Sequence, residues 1–297
     1  MKNKIFTAIL LSLLLTSCGQ TEKKDTSVSE TENNIIAATP LVADVIESIS
    51  GYKVRSIIPN GLDSHTYMPS AKELSIIDKA EYVFLADINL NTSLSGIIKL
   101  TKSKKQIIDL NKESLDKNSF IKSGNDTNPH TWTSLKNVSK WADYIYNFYI
   151  KIDKINAIKY KKNYELFIDE LNQLDSKISS EKIITNKKIM VYHDAWLYFA
   201  KDYNINIIGA IQARNFTEPT AKELAKIIEQ IKKENVKSFY GSEVYPSDIL
   251  EVIENETGAK YISELSDDKL PEETKYLSNS KYLQLMENNY LNLKKGF

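Results

Sequence analysis

From Asn34 onward the chain alternates short apolar runs with stretches of helical period, which is the signature of repeated β/α units. Ile35-Ile36-Ala37-Ala38 is a short apolar run. Thr39-Pro40 then supplies an N-cap with proline at the first helical position, so Leu41 to Ser50 is predicted as a helix. Val54 to Ile58 is a second strand ending at Pro59, and Ser70-Ala71-Lys72-Glu73 is a capping box that opens another helix. Tyr82 to Ala86 and Gln106 to Leu110 read as further strands. The pattern then repeats with Ile189 to Tyr192, Ile205 to Ile208 and Val236 to Tyr240, helices between them, and a capping box at Thr220-Ala221-Lys222-Glu223. Two successive runs of this kind predict an α/β fold of two lobes, each with a mostly parallel sheet.

A different segment separates the runs. Ile155, Ile158, Tyr164, Phe167, Ile168, Leu171, Leu174 and Ile178 recur at helical spacing with charged and amide residues elsewhere. The pattern predicts one helix of about 25–30 residues, roughly 40 Å long at 1.5 Å per residue, against a mean near 11–12 residues. A break near Asn172 would give two helices, but no glycine or proline supports one. The expected organisation is a first lobe over 34–151, a stiff connecting helix over 152–183 and a second lobe over 184–297.

The 33 residues before the first strand look unlike the rest. Lys2 and Lys4 precede an apolar run, Ile5 to Leu15, which is too short to span a bilayer as a stable helix. Leu15-Thr16-Ser17-Cys18 follows, with small residues before the single cysteine of the chain. Residues 1–18 resemble a bacterial lipoprotein signal, with cleavage before Cys18 and lipidation of its thiol. An ordinary secretory signal with an incidental cysteine is the plainer alternative. Residues 19–33 are polar, charged and free of aromatics, and are expected to form a flexible tether. The protein is thus expected on the extracytoplasmic side of a membrane, in the periplasm or at the cell surface, held there by Cys18.

Composition narrows the function by exclusion. Thirty-nine basic residues balance 39 acidic ones, so the basic excess of a nucleic-acid binder is missing. The nine glycines lie too far apart for a dinucleotide fingerprint or a phosphate loop. One cysteine permits no internal disulfide and no cysteine-based zinc finger. There is no His-Glu-x-x-His helix and no Gly-x-Ser-x-Gly elbow. Lys102, Lys104 and Lys105 read as a solvated loop. Arg214, one of two arginines, is placed to brace a carboxylate near a cleft or to sit at the surface.

Three histidines remain, and all lie at junctions: His65 between Pro59 and the capping box at Ser70, His130 after Pro129, and His193 after the run Ile189–Tyr192. Ligands of open α/β sheets bind beyond the carboxyl ends of strands. A crevice between two lobes would gather two histidines from the first and one from the second. Neutral imidazoles suit zinc and similar transition metals.

His65-Thr66-Tyr67-Met68-Pro69-Ser70, Pro129-His130-Thr131-Trp132 and His193-Asp194-Ala195-Trp196-Leu197-Tyr198-Phe199 occur in one order along the chain. In these segments the sequence resembles the zinc/manganese-type metal-binding lipoproteins of bacterial ABC importers, from about Ile35 to Asn292. The resemblance implies a substrate-binding protein, not an enzyme. It captures a divalent metal and hands it to a membrane permease driven by an ATPase. It implies His65, His130 and His193 as ligands, with a carboxylate after a Thr-Gly-Ala stretch as the fourth. Thr257-Gly258-Ala259 puts Glu264 there, where the family usually has Asp; a one-residue shift gives Ser263, and water or Asp63 are the other options. Glu243 matches a recurrent family glutamate and is read as a helix-start or inter-lobe hydrogen-bonding group. The His-rich loop of many family members is absent.

Three nitrogens and at most one carboxylate favour Zn²⁺ as the transported ligand over Mn²⁺, which prefers more oxygens. A monomer is expected. The competing readings are an envelope-anchored zinc-dependent hydrolase, a surface adhesin active in cell adhesion, and a binding protein for an iron chelate or cobalamin, which would leave three histidines unexplained. Affinity is expected to fall as pH drops through the histidine range near 6.5.

Overall fold

A computed structural model of the protein describes residues 34–100, 106–123, 126–182, 185–212, 218–242 and 247–297. The signal 1–18 with Cys18, the tether 19–33, Lys102, Lys104, Lys105, Arg214 and Glu243 lie outside them. No described helix is long and apolar enough to cross a membrane.

The first lobe carries β1 (Ile35–Ala37), α1 (Pro40–Ser50), β2 (Arg55–Ser56), α2 (Ala71–Lys79), β3 (Tyr82–Leu85), α3 (Thr92–Leu100), β4 (Gln106–Asp109), α4 (Leu110–Ser114), the small antiparallel pair β5 (Lys122–Ser123) and β6 (Asp126–Thr127), and α5 (Leu135–Ile152). Then come α6 (Ala157–Ser180), β7 (Lys188–Val191), α7 (Leu197–Tyr203), β8 (Asn206–Ala210), α8 (Ala221–Glu234), β9 (Ser238–Tyr240), α9 (Ser247–Thr257), β10 (Lys260–Ile262) and α10 (Lys281–Lys294). The first sheet runs β2-β1-β3-β4 and the second β10-β9-β7-β8, all parallel. In both, the first strand in sequence lies between the second and third, so the two lobes share one winding, as the alternation predicts.

Local chemistry sets the element ends. Thr39 caps α1 by accepting from Val42 N at 3.4 Å, and Gly51 closes it at φ +70°, where a side chain would also meet Lys159. The boxes at Ser70/Glu73 and Thr220/Glu223 both form. β2 is shorter than the predicted Val54–Ile58, although Ile57 N and Ile58 N still donate to Ala37 O and Ala38 O at 2.9 Å.

One core runs through both lobes. Ile35, Phe84, Trp141, Phe167, Val191, Tyr240 and Tyr282 belong to one continuous buried cluster. Ile77, Val83 and Ile98 fill a separate cluster on the far face of the first sheet; Met190, Ile231 and Ile253 do so for the second.

The long helix departs from the predicted 152–183. Asp153 accepts from Ile155 N at 3.2 Å, Asn156 N at 3.3 Å and Tyr160 OH at 2.6 Å, so the chain turns between α5 and α6. α6 has 24 residues and no break at Asn172. Ile155 and Ile158, counted in the apolar stripe, are 94% and 87% exposed. The second lobe as drawn, 184–297, also needs correction. α10 packs on α1 and α6, and Asp44 of α1 accepts from Ser280 Oγ, Lys281 N and Tyr282 N at 2.9–3.0 Å. The chain therefore returns to the first lobe after β10.

Candidate metal site

Each histidine sits in a loop after a strand or ahead of a helix. His65 follows β2 in a turn built on Asp63, which accepts from His65 N and Thr66 Oγ1, both at 2.8 Å. The buried Asn91 amide donates to Ser64 O at 3.0 Å and Tyr67 O at 2.9 Å and so clamps both ends of that turn. His65 Nδ1 lies 3.2 Å from Leu90 O. A carbonyl can only accept, so Nδ1 carries the hydrogen and Nε2 presents its lone pair.

His130 opens a 3₁₀ turn, Thr131–Thr133, ahead of α5. Asn128 Oδ1 takes His130 N at 3.0 Å and His130 Nδ1 at 2.9 Å, while its Nδ2 donates to Asp194 O of the second lobe at 2.8 Å. That donation fixes which end of the amide faces His130, and hence the ring's tautomer. His193 follows β7 and precedes the 3₁₀ turn Asp194–Trp196; its Nδ1 is 3.8 Å from Asp194 Oδ1.

The three rings meet point to point. His130 Nε2 is 3.0 Å from His65 Nε2 and 3.0 Å from His193 Nε2, and the three ligand atoms all fall within 4.8 Å of one another. Tetrahedral zinc, at about 2.0–2.1 Å from each nitrogen, keeps its ligands about 3.3 Å apart. The spacing matches a shared cation. Three lone pairs facing one another with no cation or proton between them would repel.

Burial, with the facing His193 next, holds His65 down at about 4. His130 is pushed well below its ordinary value by burial and then by the other two rings, and burial also lowers His193. All three imidazoles are therefore neutral at pH 7, the state that metal ligation requires.

Glu264, expected as the fourth ligand, is not brought to the histidines. Its exposed carboxylate pairs with Lys295, and its backbone oxygen accepts from Asn292 Nδ2 at 2.8 Å. Leu265 is buried one position on and its N–H continues the pairing to Gly241 O, so the alternation of an extended segment turns residue 264 outward. Ser263 is also absent from the cavities beside the triad. Asp267, which no sequence motif marks, lies beside His130, outside the group formed by the three histidines themselves. Its Oδ2 is 3.9 Å from His130 Nε2, and its backbone oxygen accepts from Trp132 Nε1 at 2.7 Å.

Asp63, His65, His193, Asp267 and Asp268 line a cavity of about 200 Å³, and a second cavity of about 390 Å³ opens on the side of Asn128 and Leu90. Burial first, then neighbouring carboxylates, push Asp267 up to about 6 and Asp268 to about 7. Crowded acids that resist ionisation beside neutral imidazoles make a cation-seeking site. A groove of about 570 Å³ along the flank of α1 and α6 touches none of the histidines.

The chain is similar to known proteins over most of its length. A model of the family described as "Zinc-uptake complex component A periplasmic" matches residues 35–296. A metal ABC transporter substrate-binding lipoprotein of Lactococcus lactis is 25% identical over 99% of this chain and 97% of its own. The manganese ABC transporter substrate-binding lipoprotein ScaA of Streptococcus gordonii is 24% identical, over 99% and 98%. Among solved structures, the periplasmic zinc-binding protein TroA of Treponema pallidum has the same fold, with a TM-score of 0.78 at 16% identity over 88% of this chain and 98% of that one. The crystal structure of ZnuA gives 0.72 at 24% identity, over 88% and 96%.

Proposed function

The chain belongs to the periplasmic zinc-uptake component A family, and from that premise we propose that it captures a divalent transition metal outside the cytoplasmic membrane and delivers it to the permease of an ATP-driven importer. The family is one of solute-binding proteins, so no chemical step is involved. The carrying observation is the convergence of three Nε2 atoms, two of them 3.0 Å from His130, with hydrogen-bond acceptors at Nδ1 of His65 and His130. His65, His130 and His193 are the ligands in this reading, and Asp267 takes the fourth place assigned on sequence to Glu264. The protein acts as a monomer tethered through a lipid on Cys18.

Zinc is the preferred metal. Three neutral imidazoles and one carboxylate form a set that suits it, whereas manganese favours more oxygens. Relatives carry names of both kinds, so the donor set decides the proposal. The test is elemental analysis of the chain from Gly19 onward, stripped with chelator and dialysed against equal low-micromolar zinc and manganese. One equivalent of zinc is expected. One equivalent of manganese overturns the preference, and retention of neither overturns the site.

A further inference from the structure

The turn between α5 and α6 carries an exposed apolar pair. Ile155 and Ile158 are 94% and 87% exposed, on a surface where isolated apolar side chains need no explanation but a fully exposed neighbouring pair does. Lys151, Lys154, Lys161 and Lys162 are exposed around them, and Lys159 lies over the Tyr52 ring at 3.5 Å. Between 151 and 162 the single acid is Asp153, whose carboxylate is turned inward on Tyr160 OH, Asn156 Nδ2 and two backbone N–H groups. An apolar tip in a lysine ring is the pattern of a segment that enters the headgroup region of an anionic bilayer.

Its place in the fold supplies an independent argument. Phe148, in the last turn of α5, packs its ring on Tyr82 at 4.9 Å, and Tyr82 is the register partner of Ile35 at the start of β1. The described chain therefore begins at the end of the lobe that carries the tip. Residues 19–33 are the fifteen that separate Cys18 from that point, with a covalent reach of at most about 50 Å. α5 starts close after His130 and its 18 residues run about 27 Å toward the tip. The metal cleft, at the carboxyl ends of the strands, thus lies at the opposite end of the lobe.

We infer that the Ile155/Ile158 tip docks on the anionic phospholipid surface of the membrane while metal is captured, holding the cleft toward the medium, and leaves that surface when the cleft turns to the permease. The Cys18 anchor proposed above brings the tip near that surface, and the tip's own affinity is tested without it. Every described element lies within 34–297, so the chain beginning at Gly19 keeps the whole fold and has no lipid.

That chain is to be sedimented with vesicles of equal parts phosphatidylglycerol and phosphatidylcholine, and with vesicles of phosphatidylcholine alone. Binding is expected to the anionic vesicles, to weaken with added salt, and to fall at least about tenfold in the Ile155→Ser/Ile158→Ser double variant. An Ile155→Trp variant should show blue-shifted emission that brominated acyl chains quench. Both substitutions sit in solvent, so melting temperature and zinc binding, measured on the same samples, stay unchanged. A failure of zinc capture is thereby told apart from a failure of docking. No sedimentation with anionic vesicles, or sedimentation that the double variant leaves intact, overturns the inference. Dimers of the parent chain that the double variant dissolves would assign the tip to a second copy and overturn it too. So would loss of cellular metal uptake in the double variant when the parent ignores vesicles, which would assign the tip to the permease.

Discussion

Replacing Asp267 by Asn should strengthen the metal-free protein and weaken its metal complex at the same time. The Asp267 side chain is 14% exposed, 3.9 Å from His130 Nε2, and burial followed by Asp63 and Asp194 raises it from 3.8 to about 6. In the unfolded chain an aspartate titrates near 3.9, so the folded state holds this proton more tightly. The ionised carboxylate therefore costs stability at pH 7.5, and the cost disappears as pH falls through 6 toward 4. At about 1.4 kcal/mol per pH unit the ceiling is about 3 kcal/mol. Relaxation and water at the exposed edge reduce such penalties, so about 1–2 kcal/mol is expected, or about 2–4 °C in Tm for a chain of this size. The amide brings no charge to a cation, and zinc affinity should drop by more than the 10–100-fold typical of outer partners. Calorimetry of chelator-stripped protein at pH 7.5 and 4.5, with a chelator-competition titration of zinc, measures both. The variant should melt higher at pH 7.5, and the gap should close at pH 4.5. An unchanged zinc affinity refutes Asp267 as a ligand, and a lower melting temperature at pH 7.5 refutes the buried-charge argument.

Glu264→Gln should leave zinc affinity unchanged and shift stability by less than about 1 kcal/mol, because its ion pair with Lys295 is exposed; a large loss of zinc by competition titration would restore the sequence-based assignment. Zinc affinity should hold down to about pH 6, fall as Asp267 takes its proton, and steepen toward pH 4 as His65 does, a window below the 6.5 expected of free imidazoles; titrations from pH 7.5 to 4.5 locate it. Asn128→Leu removes the acceptor at His130 Nδ1 and should cost about 10–100-fold in zinc affinity, together with about 1–3 kcal/mol of stability measured by urea unfolding. His130→Ala should abolish measurable binding, whereas His193→Ala should leave a weakened site; equal losses in calorimetric titration would contradict the asymmetry argued below.

Much of this architecture is legible in short patterns. Strands show as β-branched runs, and the capping boxes at Ser70 and Thr220 place helix starts because each satisfies orphan N–H groups locally. The histidines are legible because junction positions after strands converge in such folds, and the clustering of His65, His130 and His193 needs no long-range guess beyond the two-lobe prediction.

The proposed fourth ligand is less legible because it depends on where an extended segment ends. Counting from Gly258 assumes that the carboxylate follows β10 at once, but Leu265 N still pairs with Gly241 O, and the turn that presents Asp267 comes only afterwards. Asp267-Asp268-Lys269 reads by itself as a solvated charge cluster. The start of α6 is hidden in a similar way. Ile155 and Ile158 keep the apolar period, yet Asp153 captures the N–H groups that a continuous helix would have used. Periodicity also cannot reveal which lobe a helix packs against, and so the return of α10 to α1 has no local signature.

That return shapes how metal can leave. α6 is bound to both lobes, through Asn163 Nδ2 to Ile49 O at 3.2 Å and through Asp175 Oδ1, which accepts from Tyr203 OH at 2.6 Å. α10 spans the lobes as well: Asp44 holds its start, and Tyr240 OH donates to Leu293 O at 2.9 Å near its end. Two helical ties oppose a wide hinge opening, where the sequence pointed to one. The proposed ligands are also divided unequally. His65 and His130 belong to the first lobe. Asp267 is pinned to it by Trp132 Nε1 and by the reciprocal Asn60–Leu270 hydrogen bonds, both 2.8 Å. His193 alone rides on the second sheet, and its turn is held across the cleft by Asn128 Nδ2 to Asp194 O and Thr133 Oγ1 to Ala195 O. Tyr198 OH, which donates to Asn128 O at 2.7 Å, continues that seam, so a shift that opens all three hydrogen bonds withdraws one proposed ligand and leaves three in place. A site so divided loosens its metal without unfolding its loops, which is why substituting His193 should be tolerated better than substituting His130.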